Sequence, residues 1–83
     1  MSNISHPKMT ADSMKKGNIG IVKAIGDAET KLTLMEMGIR PGKTIEFLNS
    51  AIWGGPIAFQ IENNIVAIRV SEAAAIEIDL IKK

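Results

Sequence analysis

The sequence contains no cysteine, which excludes disulfide bonds, thiol catalysis and thiolate-bound metals. It has one tryptophan, two phenylalanines and no tyrosine, so aliphatic side chains must form most of the core. Its single histidine, His6, cannot supply the several ligands that a transition-metal site requires. No apolar run is long enough to cross a bilayer, and no secretion signal is recognisable. These absences favour a cytoplasmic protein that has no cofactor and does not insert into a membrane.

The charges nearly cancel, because 10 basic and 9 acidic residues give a net charge of +1. The basic residues are scattered, apart from the pairs Lys15-Lys16 and Lys82-Lys83, which we interpret as solvated ends. Nucleic-acid binding relies on clustered Lys and Arg, so we expect no nucleic-acid partner. The 83 residues are enough for one domain, and a hydrophobic content of 46% is typical of a folded protein.

The first half of the chain predicts a strand followed by a helix. The strand runs from about Ile19 to Ile25. Asp27 can cap a helix from about Ala28 to Met37, and Gly38 suits the left-handed position that ends a helix. The following Pro41-Gly42 fits the two central positions of a type II turn.

The second half alternates apolar and polar residues, as half-buried strands do. Ile45 and Phe47 mark a second strand, and a third begins at Pro56. Asn63-Asn64 suits a two-residue hairpin turn, and Ser71 can cap one short helical turn. The inward residues of the fourth and fifth strands are predicted to be Val66, Ile68, Val70, Ile76, Ile78 and Leu80.

A chain this short cannot easily form two packed sheets, whereas one curled sheet removes exposed edges. We therefore expect a mainly β fold, a small SH3-like β-barrel of about five strands with one short α-helix inserted after the first strand. The domain is expected to span residues 17–83. Residues 1–16 are expected to form a loosely ordered lead-in, with one short turn between Thr10 and Met14.

Three stretches also occur in an order and spacing typical of one family. They are Leu34-Met35-Glu36-Met37-Gly38-Ile39-Arg40-Pro41-Gly42, then Gly55-Pro56-Ile57, then Val66-Ala67-Ile68-Arg69 followed by Glu72-Ala73 and Ile76. On these residues the chain resembles the FeoA family, the small cytoplasmic proteins of bacterial ferrous-iron uptake. The resemblance covers about Gly17 to Leu80 and implies an SH3-like barrel. Many members carry Arg or Lys immediately before Leu34, where this chain has Thr33.

The resemblance implies a non-enzymatic accessory or regulatory module that docks on FeoB, the membrane ferrous-iron transporter with a cytoplasmic GTPase domain. The residues agree, because no nucleophile with a neighbouring base and no phosphate-binding loop is present. The alternative is a weak transition-metal carrier or sensor. Its only resource would be surface carboxylates such as Glu77 and Asp79.

The helix is the expected partner surface, because its apolar arc is about twice the ~100° that packing on one core requires. The resemblance assigns Leu34 and Met37 to the core, which leaves Leu32 and Met35 on another face. We predict that Leu32, Met35 and the adjacent Glu36 contact a partner or support weak homo-oligomerisation. The alternative is that a neighbouring loop covers them.

Trp53 lies in a predicted loop, between Ile52 and Gly54-Gly55. A loop aromatic flanked by glycines can act as a binding anchor, which makes Trp53 the fourth candidate partner residue. The alternative is that Trp53 folds back over an open barrel end. The need of a small domain for buried apolar surface favours this second interpretation.

Overall fold

The computed structural model describes residues 9–82 and contains six strands in the order β1-β6-β2-β3-β4-β5, with antiparallel neighbours throughout. The strands are β1 (Met9–Thr10), β2 (Ile19–Ile25), β3 (Thr44–Ser50), β4 (Ile57–Ile61), β5 (Asn64–Ile68) and β6 (Ile76–Lys82). Helix α1 (Ala28–Glu36) connects β2 to β3, and the short helix α2 (Val70–Ala73) connects β5 to β6. The predicted mainly β architecture with an inserted helix is confirmed.

The sheet is curled but not closed by hydrogen bonds. In the described part of the chain β1 pairs only with β6, and β5 pairs only with β4. Helix α2, which follows β5, contacts the 3-10 turn Ala11–Ser13, which follows β1. The two ends of the sheet are therefore brought together by packing. This arrangement is consistent with the expected small barrel.

The core lies inside the curl and is aliphatic apart from two rings. Phe47 and Phe59 are opposite each other in the β3–β4 register and pack edge to face with centroids 5.5 Å apart. Strand β4 alternates as the sequence predicts, because Ile57, Phe59 and Ile61 are buried while the residues between them are half-buried. The other fully buried large side chains are Val22, Leu34, Ile39, Ile45, Ile68 and Ile76.

The described part of the predicted lead-in packs on the domain. Met9 and Thr10 pair with β6, and Ala11 and Met14 are buried in the core. The short turn expected between Thr10 and Met14 is present as the 3-10 turn Ala11–Ser13. This pairing adds a sixth strand to the five predicted. The sequence did not predict it, because a strand of two residues is too short to show an alternating pattern.

The stop signals of α1 act as predicted. The Asp27 side chain accepts a hydrogen bond from the Thr30 N–H at 2.9 Å, which caps the helix start. Gly38 has a φ of 96° and Gly42 a φ of 93°, the left-handed region that favours glycine. The Lys43 N–H donates to the Arg40 carbonyl at 3.0 Å across Pro41-Gly42, as a type II turn requires.

Two local predictions in the second half are wrong. The β4–β5 turn is at Glu62-Asn63 and not at Asn63-Asn64, because Ile61 pairs with Asn64. That register keeps Phe59 opposite Val66 on the inner face, and a shift of one residue would turn β5 inside out. Glu62 takes the left-handed position at a φ of 54°, and its carbonyl accepts from the Gln60 amide at 2.9 Å.

The end of β5 also differs from the sequence expectation. The strand stops at Ile68, and Val70 is the first residue of α2. The cap is Arg69 and not Ser71, since the Arg69 N–H donates to the Glu72 carboxylate at 2.8 Å. This bond to the Glu72 carboxylate stands in place of the serine cap that the sequence had predicted.

Candidate partner surface

Helix α1 packs on the core through its last turn. Leu34 is fully buried, while Met35 and Met37 are half-buried and pack against the core. Leu32 is 65% exposed. The predicted outward pair is therefore split. Met35 contacts the core from the edge of the helix, and only Leu32 presents its side chain to solvent.

The C-terminal turn of α1 holds this orientation. The N–H groups of Met37 and Ile39 both donate to the Leu34 carbonyl at 3.0 Å. They fold Ile39, which is fully buried, back beside Leu34. The Arg40 Nε donates to the Met35 carbonyl at 3.3 Å, where a cation also complements the helix dipole. Leu32 is thus displayed from a helix whose far end is fixed.

The exposed face of α1 carries one large apolar side chain within a charged rim. Glu36 lies one turn after Leu32 and is exposed, as are Glu29 and Lys31 before it. Arg40 is exposed beyond the end of the helix. We call the exposed set Leu32, Glu36 and Arg40 the α1 surface. Arg40 lies in the predicted contact stretch from Leu32 to Gly42 but was not singled out from the sequence, because its position beside the helix terminus depends on the turn at Gly38.

Trp53 does not fold back over the barrel, so the favoured interpretation of this residue was wrong. It is 94% exposed, and its neighbour Ile52 is 77% exposed. The loop is closed by bonds from the Ala51 N–H to the Pro56 carbonyl at 3.0 Å and from the Gly55 N–H to the Ile52 carbonyl at 3.3 Å. These bonds hold the two apolar side chains at the tip of the β3–β4 hairpin.

The structure does not bring Trp53 next to the α1 surface. Helix α1 leads through the turn at Gly42 into the start of β3, whereas residues 51–56 follow the end of β3. A strand of seven residues spans about 20 Å at ~3.3 Å per residue. The four candidate residues therefore form two separate surfaces, one on α1 and one at the hairpin tip.

The carboxylates considered for a metal do not converge. Asp79 is 3.8 Å from the Lys23 ammonium group, and Glu77 lies two residues before it on β6. Within residues 9–82 no group of three or more His, Asp or Glu side chains is placed to hold a metal ion. His6 lies outside the described residues.

An open groove on the outer face of the sheet contains a second ion pair. It is lined by Ile19, Gly42, Lys43, Thr44, Glu46, Gln60 and Glu62. The Lys43 ammonium donates to the Glu62 carboxylate at 2.8 Å, and this hydrogen bond holds the pKa of Glu62 below its ordinary value. Both side chains are well exposed, so water screens the pair and its contribution to stability is small.

In the part of the chain that the structure describes, no helix is long and apolar enough to cross a membrane.

Comparison with known families gives one match over most of the chain. The family model described as the FeoA domain matches residues 9–80. This range includes β1 and the buried residues Ala11 and Met14, in agreement with their packing on the domain. No curated protein matches the sequence significantly.

Solved structures of the same fold include several FeoA proteins. An iron uptake regulatory protein (FeoA) is 28% identical, with 92% of this chain and 100% of that chain covered and a TM-score of 0.80. Iron(II) transport protein A from Clostridium thermocellum is 30% identical, with 88% and 46% covered and a TM-score of 0.82. The FeoA of Stenotrophomonas maltophilia, described as a prokaryotic SH3 domain protein complexed with zinc, is 24% identical, with 86% and 89% covered and a TM-score of 0.74. The likeness to the last protein supports the SH3-like fold.

Proposed function

The chain belongs to the FeoA family of ferrous iron transport, and from this premise we propose that it is a non-enzymatic accessory module that docks on a FeoB-type transporter. Docking takes place on the cytoplasmic side, where the GTPase domain of such a transporter lies. The module regulates that GTPase or the gate it controls. The observation that carries the proposal is the α1 surface, where Leu32 is exposed on a helix fixed to the core.

The α1 surface has the composition of a small binding site. Leu32 is the apolar centre, and Glu36 and Arg40 on either side of the helix end provide charges of opposite sign. Interfaces commonly place an apolar centre inside a polar rim, which fixes orientation while the centre supplies most of the affinity. Because Leu34 and Ile39 hold the helix, docking requires little ordering of the backbone.

The distribution of titratable groups supports a binding role and not catalysis. The core of the described residues contains no buried polar or charged side chain. The two carboxyl groups with lowered pKa values have structural partners, Asp27 at the start of α1 and Glu62 beside Lys43. Both groups are exposed, and the partners that lower their pKa values are the Thr30 cap contacts and the Lys43 ammonium group.

A titration against the complete transporter in lipid nanodiscs tests this proposal. The experiment measures the dissociation constant and the rate of GTP hydrolysis for the wild type and for Leu32→Ser. We expect saturable binding that the variant weakens about fivefold or more, because a central apolar contact contributes over about 1 kcal/mol. The matched control is Ile65→Ser on β5, since Ile65 is 66% exposed and lies outside the α1 surface. Equal effects of the two variants, or no binding at all, would contradict the proposal.

Calorimetry with Fe(II) under anaerobic conditions separates docking from the alternative of a metal carrier or sensor. We expect no tight site, because Asp79 pairs with Lys23 and the described residues contain no group of three or more His, Asp or Glu side chains placed to hold a metal ion. A stoichiometric high-affinity signal, abolished by Glu77→Gln with Asp79→Asn, would favour the carrier. Weak self-association through Leu32 is a third hypothesis. Analytical ultracentrifugation would then show a concentration-dependent mass for the wild type that Leu32→Ser lowers to that of a monomer.

A further inference from the structure

The tip of the β3–β4 hairpin follows the end of β3, whereas α1 precedes its start. This tip has no role in the docking proposed above. It consists of residues 51–56 and displays Ile52 and Trp53 at 77% and 94% exposure. These are the two most exposed large apolar side chains of the described residues. They are adjacent in sequence and lie at the end of a hairpin, so both side chains can be buried together in one apolar environment outside the domain.

The backbone at this tip is unfavourable for the residue it carries. Trp53 has a φ of 62°, a left-handed conformation that bulky residues rarely adopt because it is strained. Its side chain makes no compensating contribution to the core, since it is almost fully exposed. Asparagine or glycine would suit this position better for folding alone. A strained and exposed tryptophan therefore indicates a binding role.

Charge is absent from the whole hairpin. Residues 47–61, between Glu46 and Glu62, contain no charged side chain, although charged residues make up 23% of the chain. An uncharged tip can leave water without the cost of burying an ion. Tryptophan has a preference for the boundary between headgroups and acyl chains, because its ring is apolar and its N–H is polar.

Two lysines lie beside the base of the same hairpin. The Gly17 N–H donates to the Phe47 carbonyl at 2.9 Å, and the Phe47 N–H donates to the Asn18 carbonyl at 3.0 Å. These bonds fix the turn that carries Lys15 and Lys16, both exposed, alongside the middle of β3. Three further residues of β3, about 10 Å, separate Phe47 from the start of the tip.

The register of β6 adds to this arrangement. Lys82 is paired with Ile19 at the start of β2, so β6 ends at the same end of the β2–β6 ladder at which Lys15 and Lys16 precede β2. Two acidic residues lie near this turn: Glu46, which is opposite Ile19 and faces the groove with Gln60, and Asp12, which precedes Lys15 by three residues and accepts from the Thr10 hydroxyl.

We propose that the hairpin tip enters the interface of a bilayer that contains anionic lipids, with Ile52 and Trp53 among the headgroups and Lys15 and Lys16 against their charge. Binding of this kind combines burial of apolar side chains with attraction of basic residues to anionic headgroups. It differs from the sequence expectation of no direct membrane insertion, which considered only long apolar runs. It does not depend on transporter docking, because vesicles without a transporter suffice.

The single tryptophan makes the test direct, because Trp53 is the only source of tryptophan emission and the chain has no tyrosine. The protein is titrated with vesicles of phosphatidylcholine alone and with vesicles that also contain phosphatidylglycerol. We expect a blue shift and protection from aqueous quenchers with the anionic vesicles, and much weaker binding to the neutral ones. Raising the salt concentration should weaken binding to the anionic vesicles, because salt screens the attraction between the lysines and the headgroups.

Variants assign the effect to residues. Lys15→Gln with Lys16→Gln should weaken binding to anionic vesicles by up to about 25-fold, since each lysine near a charged surface contributes about fivefold. Ile52→Ser should weaken it while keeping the Trp53 reporter. Ile65→Ser, at an exposed apolar residue on β5, should have no effect. Circular dichroism of each variant verifies folding.

The outcomes that overturn the proposal are specific. No blue shift with anionic vesicles, or a shift that Ile52→Ser leaves intact, removes the hairpin tip from the membrane. Loss of transporter binding in Ile52→Ser without any vesicle binding would instead assign the tip to a protein pocket. Equal binding to neutral and anionic vesicles would remove the role of Lys15 and Lys16.

Discussion

Replacing Leu34 by alanine measures how far α1 depends on one buried side chain. Leu34 is fully buried, and its carbonyl also accepts the two N–H groups that end the helix. Truncation of a buried leucine costs about 2–5 kcal/mol, because transfer free energy is lost and a cavity remains. A domain of 83 residues has a free energy of unfolding of about 4–12 kcal/mol at ~0.05–0.15 kcal/mol per residue. Leu34→Ala therefore removes a large part of the stability.

The assay is urea unfolding followed by far-ultraviolet circular dichroism. Tryptophan emission is unsuitable, because Trp53 is 94% exposed in the folded state already. The matched control is Leu32→Ala, two residues earlier on α1, for which we expect a change within about 0.5 kcal/mol. Equal losses for the two variants would refute the assignment of the buried and exposed faces of α1.

Two further changes test the sheet and the helix cap. Gly20→Ala should cost about 1–3 kcal/mol, because its Cβ would lie 2.9 Å from Ile78 Cδ1 and 3.1 Å from the Asp79 carbonyl. An unchanged urea midpoint would contradict this close approach. The bond from the Thr30 N–H holds the pKa of Asp27 below its ordinary value of 3.8, so its charge stabilises the fold above that value. This contribution is lost as the pH falls through the lowered pKa. Asp27→Ala should therefore fall further below wild type at pH 7 than at low pH, where the neutral carboxyl keeps only a cap of the kind that Asp27→Asn provides. A stability difference independent of pH would argue against the linkage.

Local signals determined the parts of the fold that depend on neighbours in sequence. The α1 bounds follow from the Asp27 cap and from Gly38, and the turn before β3 follows from Pro41-Gly42. Non-local pairing was not predictable in the same way. The strand Met9–Thr10 exists because β6 offers an edge to it, and the β4–β5 turn is displaced because Phe59 must face Val66.

The candidate site was predicted in part for the same reason. A helical wheel separates Leu32 from Leu34, and the structure shows the first exposed and the second buried. The wheel does not show how closely a helix approaches the core, so it placed Met35 outside although Met35 packs against the core. The exposure of Trp53 depends on the length and closure of its loop, which composition does not determine.

Hydrogen–deuterium exchange of the protein, alone and with a saturating amount of the complete transporter in nanodiscs, tests the docking proposal most directly. Slowed exchange reports both that a complex forms and which backbone segment it covers. We expect added protection over α1 (Ala28–Glu36) and the turn that follows it. Exchange rates that stay unchanged over the whole chain, or protection that spares α1, would contradict it.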